Sequence, residues 1–237
     1  MKSYNFKITK REVRKVIASV SIIVILVILG FVISNKIVEY QANKYNNVVK
    51  IESSEMFQYG MNTNVGNAFV YGELSAVDAV SYPEIGGEYM YIQKIEEHYT
   101  RHERIVQVGK TTTIQTYYTW DSVSTEGLKC KKINFCDIEF DNYKIALPST
   151  FYIDTIEVSS KIRYQYYGVS ASHIGTIFTD LKDNTISDNS RFYKNMNIEE
   201  TLEYIATAQT TFLILFWMIW ILLIIAIGLM FYIATFL

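Results

Sequence analysis

From Phe212 to Leu237 the sequence reads FLILFWMIWILLIIAIGLMFYIATFL, 26 residues without one Asp, Glu, Lys, Arg or His. As a helix rising 1.5 Å per residue it would be roughly 39 Å long, against a bilayer hydrocarbon core of about 30 Å. Residues 210–237 therefore read as a transmembrane helix. Aromatic side chains gather toward its two ends, Phe216, Trp217 and Trp220 at one and Phe231 and Tyr232 at the other. Amphipathic rings settle at a lipid–water interface in such positions.

A second apolar run, VIASVSIIVILVILGFVI from Val16 to Ile33, stands near the N-terminus. It is about 27 Å long as a helix, just enough to span. The preceding tail, residues 1–15, carries Lys2, Lys7, Lys10, Arg11, Arg14 and Lys15 against the single acid Glu12. Positive charge beside a span stays on the cytoplasmic side, so Lys10, Arg11, Arg14 and Lys15 predict an inward N-terminus. A cleavable signal peptide begins in the same way. The residues that follow, SNKIVEYQ, lack an A-x-A-like cleavage site, and the run exceeds the roughly 7–15 residues of a signal h-region. The expectation is an uncleaved signal anchor over 16–34. Two spans in the cell membrane then leave residues 35–209 outside the cytoplasm and bring Leu237 back into or beneath the bilayer.

The stretch between the spans is polar and rich in the chain's 19 tyrosines, enough to bury a core of its own. Residues 35–68 predict a short extension of the first helix followed by a loop, because MNTNVGNAF is rich in Asn and carries a Gly. From Phe69 the pattern turns to β, with FVYGELSAV alternating in polarity. EYMYIQKIEEHYTRHERIVQV and TTTIQTYYTW, separated by Gly109-Lys110, predict a long hairpin. Short strands follow through LKCKKINFCDIEF, FYIDTIEV, KIRYQYYGVSA and HIGTIFTDLKDNTIS, the last folded over Lys182-Asp183-Asn184. With no alternation of strands and helices, a doubly wound parallel sheet is excluded. The predicted fold is a mostly antiparallel β domain over 69–196 between two transmembrane helices. At 197–209 a membrane-proximal helix begins, with Asn197 as N-cap and Glu200 three residues on as its capping-box partner. Nothing from there to Phe212 breaks a helix, so it should run on into the membrane.

Chemistry is sparsely marked. His98 and His102 lie at i and i+4, a zinc-binding spacing on a helix but roughly 13 Å apart on a strand. Strand alternation around them makes them weak metal candidates, solvated residues or pH-responsive groups. Cys130 and Cys136 match no zinc array, and a disulfide between them needs a turn at 131–134, since a straight strand would hold them roughly 20 Å apart; two free thiols are the alternative. No P-loop, G-x-S-x-G, H-E-x-x-H or G-x-G-x-x-G occurs, so neither a catalytic centre nor a cofactor is predicted. A net charge of −2 without long basic runs gives nucleic acid little to hold.

The order of GEL (Gly72–Leu74), EEHY (Glu96–Tyr99), Trp120, RYQYYG (Arg163–Gly168), Gly175 and NIEE (Asn197–Glu200) before a membrane helix resembles the LUMA family of transmembrane proteins. It is also similar to the GIDE, or "beside a membrane", domain of membrane-anchored ubiquitin ligases. Over roughly Phe69–Leu202 the resemblance implies a membrane-proximal β domain with scaffolding or partner-binding duties and no catalysis. The sequence departs from both. LUMA proteins have further spans after the domain, and the ligases carry a metal-binding RING that two cysteines cannot build. The expectation is a two-span scaffold, partnered by the bilayer, by copies of itself or by another envelope protein. The alternatives are a surface recognition or exclusion factor and a membrane-tethered metalloenzyme using His98 and His102.

Overall fold

The structure is a computed structural model that describes residues 10–45 and 48–236. The elements in chain order are α1 (Lys10–Tyr45), β1 (Val49–Ile51), α2 (Ser54–Thr63), β2 (Gly66–Ala76), β3 (Tyr89–Val108), β4 (Thr111–Lys129), β5 (Lys132–Phe135), β6 (Ile138–Asp141) and β7 (Ile145–Ala146). They continue with β8 (Phe151–Ser159), β9 (Ile162–Ser170), β10 (Ser172–Lys182), β11 (Thr185–Ile186), β12 (Ser190–Lys194) and α3 (Ile198–Phe236). The chain divides into two compact units, one formed by both terminal segments and the other by Val48–Thr201.

In the terminal unit, α1 and α3 each contain a stretch long and apolar enough to cross a membrane, Val13–Tyr45 and Ile198–Ala234. Their apolar side chains are mostly exposed, the opposite of a soluble core helix. The helices run antiparallel, since Lys15 Nζ donates to Ala234 O at 2.9 Å while Trp220 Nε1 donates to Leu26 O at 3.0 Å. A Cβ on Gly30 would lie 2.6 Å from that indole nitrogen, so only glycine admits the ring.

The β unit holds two sheets. The larger has eight strands in the order β6-β5-β2-β10-β12-β7, with β1 added to β2 and β11 to β10. Most pairs are antiparallel, but β1 joins β2 and β7 joins β12 in parallel, which makes this sheet mixed. Its inner face buries Val70, Leu74, Ile133, Phe135, Ile177 and Leu181 beneath α2. Phe57 of α2 meets Phe135 edge to face, with ring centroids 5.8 Å apart. Gly72 and Gly175 are directly paired across β2 and β10, and a Cβ on Gly175 would overlap the carbonyl oxygen of Tyr193.

The expected boundary at residue 69 is corrected here. Residues 49–63, part of the 35–68 stretch read from sequence as helix extension and loop, form β1 and α2, and the β unit begins at Val48. A three-residue strand has too little alternation to be seen alone. The ten-residue helix depends on caps: Ser53 Oγ accepts from Met56 N–H at 3.3 Å, and Asn64 closes the end in the left-handed region at φ 54°. The hairpin also exceeds its expected end at Trp120. β4 continues to Lys129 through a bulge at Val123, where the pairing steps from Glu96↔Ser124 to Glu97↔Ser122.

The smaller sheet has the order β4-β3-β9-β8, all antiparallel. One end of it enters the core, through Met90, Ile92, Tyr166 and Val169, with Cys130 buried just past the end of β4.

Candidate functional site

β3 is 20 residues long, but β9 accompanies it only from Tyr89 to His98. Beyond that point Tyr99–Val108 pairs with Thr111–Trp120 alone, ten cross-strand pairs closed by the Gly109-Lys110 turn. This ribbon is roughly 33 Å long. A two-stranded ribbon has no core and is marginal by itself, so cross-strand side-chain pairs must hold it.

On one face those pairs form a chain of rings. Arg163 Nε donates to Glu97 Oε2 at 2.6 Å, and its guanidinium lies 4.3 Å from the centroid of Trp120. Trp120 and Tyr99 are 5.3 Å apart, and Tyr99 stacks on Tyr118 at 5.3 Å with 15° between the planes. Nearer the tip, Ile105 and Ile114 stand opposite each other at 76% and 69% exposure. The other face is polar. His98 Nε2 meets Glu96 Oε1 at 2.7 Å, and His102 Nε2 meets Asp121 Oδ2 at 2.7 Å. The His98 contact holds the Glu96 carboxyl below its ordinary range, while Asp121 is held down chiefly by the Thr119 hydroxyl, with His102 adding to it. His102 stacks on Tyr117 at 5.2 Å.

The two histidines thus lie on a strand, each engaged with its own carboxylate, and the structure does not bring them to a common ligand point. Among the described residues there is no cluster of three or more His, Cys, Asp or Glu that could hold a metal ion. Both cysteines are free thiols. The turn that a bridge would require at 131–134 is absent, because Lys132–Phe135 is strand β5 and holds the two sulfurs at its opposite ends. Cys130 is fully buried, and burial pushes the Cys136 thiol up to about 12.

Asn197 N–H donates to Glu200 Oε2 and Glu200 N–H to Asn197 Oδ1, both at 2.9 Å, at the start of α3. Trp217 and Trp220, read from sequence as interface anchors, direct their rings to α1, with Trp217 4.9 Å from Phe31 and Phe216 stacked on Trp220. Tyr232 is exposed and Phe231 half-buried. Lys10, Arg11, Arg14 and Lys15 form the first turns of α1, whereas Lys2, Lys7 and Leu237 lie outside the described residues.

The edges of the smaller sheet were not distinguished by sequence reading. Along the ribbon, β3 exposes Arg101, Glu103 and Arg104, and β8 at the far edge carries Asp154 and Glu157 with two register breaks. Charges and bulges of this kind stop a strand from pairing with strangers. On β4 the run TTTIQTYYTW, Thr111–Trp120, has no charge, no proline and no glycine, and every side chain but the half-buried Trp120 is exposed. The signal was in the composition of that run, but only the pairing shows that it is an edge.

An acidic cleft of about 340 Å³ also opens beside β2, lined by Glu52, Glu73 and Asp137 with Ser54, Tyr71 and Cys136. Two of its carboxylates are occupied locally, Asp137 by the Ser54 hydroxyl at 3.0 Å and Glu73 by that of Ser172 at 2.6 Å. No protein-family model, no curated protein and no solved structure matches the chain.

Proposed function

We propose that this chain is a two-span membrane scaffold whose β unit lies outside the cytoplasm and works by protein–protein contact through the β3–β4 ribbon. The carrying observation is the ribbon itself: ten cross-strand pairs extended past the sheet, ordered by ring stacking, with almost nothing buried beneath them. A segment that contributes so little to a core is explained by what it meets. The bare apolar surfaces of α1 and α3 support the membrane anchoring, and the basic residues before Val16 support an inward N-terminus. The row of exposed Tyr99 and Tyr118 with half-buried Trp120 favours a second reading, a recognition face for an external ligand, because aromatic rings are strong anchors at interfaces. The metalloenzyme reading gains no supporting observation, since His98 and His102 face separate carboxylates.

Topology and association are tested together. A Lys110→Cys variant, at the exposed ribbon tip, should react with a membrane-impermeant maleimide in intact cells. Labelling only after lysis would overturn the outward placement. Chemical cross-linking of native membranes should give homo-oligomers of the chain. A monomer joined to one foreign protein would replace the self-associating scaffold with the recognition reading.

A further inference from the structure

Resting on the scaffold reading, we propose that the free edge of β4 is the contact through which the chain self-associates. Its occupant is the β4 edge of a second copy, laid antiparallel about a twofold axis at Thr116.

Backbone geometry selects the residues. A two-residue hairpin turn makes Val108 and Thr111 a pair whose N–H and C=O groups face each other, and that direction alternates along an antiparallel strand. Thr112, Ile114, Thr116, Tyr118 and Trp120 therefore turn their backbone groups away from β3. These are the unmet donors and acceptors of an edge segment, residues 112–120, that carries neither charge, proline nor bulge. The other free edges do carry them, in the charges of Arg101, Glu103 and Arg104 on β3 and in the bulges of β8.

The run is also its own complement. From Thr112 to Trp120 it is uncharged and centred on Thr116. A twofold axis there sets Ile114 against Tyr118, Thr112 against Trp120, Thr113 against Thr119 and Gln115 against Tyr117. β-Branched–aromatic and Thr–Thr neighbours of this kind stabilise antiparallel strands. Opposed residues have the same parity, so the aromatic face of one copy continues as the aromatic face of the next. The two four-stranded sheets join into one continuous sheet, closing the edge that the single chain leaves open.

The test uses the full-length chain in its membrane. Residues facing themselves across such an axis are about 5.5 Å apart at Cα, within disulfide reach. Thr116→Cys should therefore give, on mild oxidation, at least ten times the linked dimer formed by the unaltered chain or by Ile105→Cys on the charged strand of the same ribbon. Thr116→Lys should lower the dimer on native gels at least tenfold. Thr116→Pro should do the same while leaving circular dichroism unchanged, since the N–H it removes points away from β3. If Thr116→Cys does not link and Thr116→Lys still dimerises, the edge proposal is overturned and self-association lies elsewhere. If the unaltered chain forms no homo-oligomer, the scaffold reading falls with it. Linkage of Thr116→Cys to a different protein overturns the second copy as occupant.

Discussion

The two sheets of the β unit use the same kind of sequence for opposite ends. In the eight-stranded sheet, short strands of two to eleven residues cross under α2 and bury side chains on the inner face of nearly every pair. In the four-stranded sheet, strands of nine to twenty residues bury side chains only near one end, and no residue of β3 beyond Ile92 is fully buried. The first sheet is held by apolar area removed from water, a contribution of roughly 25 cal/mol per Å². The second is held by ring contacts and ion pairs in the open, each contributing of the order of 1 kcal/mol or less. Stability should therefore reside in the large sheet, while the small one is free to vary its surface.

The sharpest way to break this comparison is a deletion in the large sheet. Phe135 is fully buried and touches both Phe57 and Phe192 edge to face. Phe135→Ala should cost about 3–5 kcal/mol, the transfer and cavity cost of a buried ring. Urea unfolding of the detergent-solubilised chain, followed by tyrosine and tryptophan near-ultraviolet dichroism, would measure it. A loss below about 1 kcal/mol would mean that the large sheet is not the main source of stability. Next in size is Gly175→Ala. Its methyl group must push against the backbone of β12 at Tyr193, a neighbour that cannot rotate away, and about 2 kcal/mol should be lost in the same assay.

Legibility in the sequence follows the same division. The two long apolar helices and the long hairpin were readable because apolar length and period-two alternation are strong local signals, and the turn residues Gly109 and Asp183-Asn184 have the positive φ that such turns need. β1 and α2 were not readable, because β1 gains its identity only from parallel pairing with β2, and the capping by Ser53 and Asn64 is weak evidence until a partner surface is known. The contact site was the least legible part. TTTIQTYYTW reads as strand from composition, yet whether it is a protected centre or an open edge depends on β9 pairing with β3 and not with β4. Trp220 likewise reads as a lipid-facing anchor until Gly30 is seen to receive it.

Acid should separate the sheets further, with smaller effects. Glu84 accepts from Lys94 at 2.8 Å and from the Tyr166 hydroxyl at 2.9 Å, fixing the 81–88 loop over the small sheet, and its carboxyl is lowered to about 2, first by the Lys94 contact. A carboxyl depressed by folding stabilises above its unfolded pKa, and the gain is lost as pH falls from about 4.5 toward 2. Because the pair is partly exposed, Glu84→Gln should cost only about 1 kcal/mol at neutral pH and should flatten that acid slope. In the large sheet the relevant group is His173, 7% exposed, with Nε2 buried and unpartnered. Burial lowers its pKa, so the native state holds it neutral while the unfolded chain takes up a proton as pH falls through about 6.5. Stability should begin to fall there, earlier than for the Glu84 contact, and His173→Leu should abolish that first step in a pH series of thermal melts.

The smallest effect is expected at the ribbon tip, and it is the most informative about function. Ile105 and Ile114 face each other in the open, so Ile114→Ser removes a contact that excludes little water and should change the stability of the monomer by less than about 0.5 kcal/mol. If Ile114 meets Tyr118 of a second copy, the same substitution should weaken association severalfold while leaving unfolding of the monomer unmoved. A stability loss of about 2 kcal/mol or more would instead show that the ribbon carries structural weight in the single chain. The exposed isoleucines would then be explained by folding, and the contrast between a sheet that holds the fold and a sheet that meets a partner would not survive.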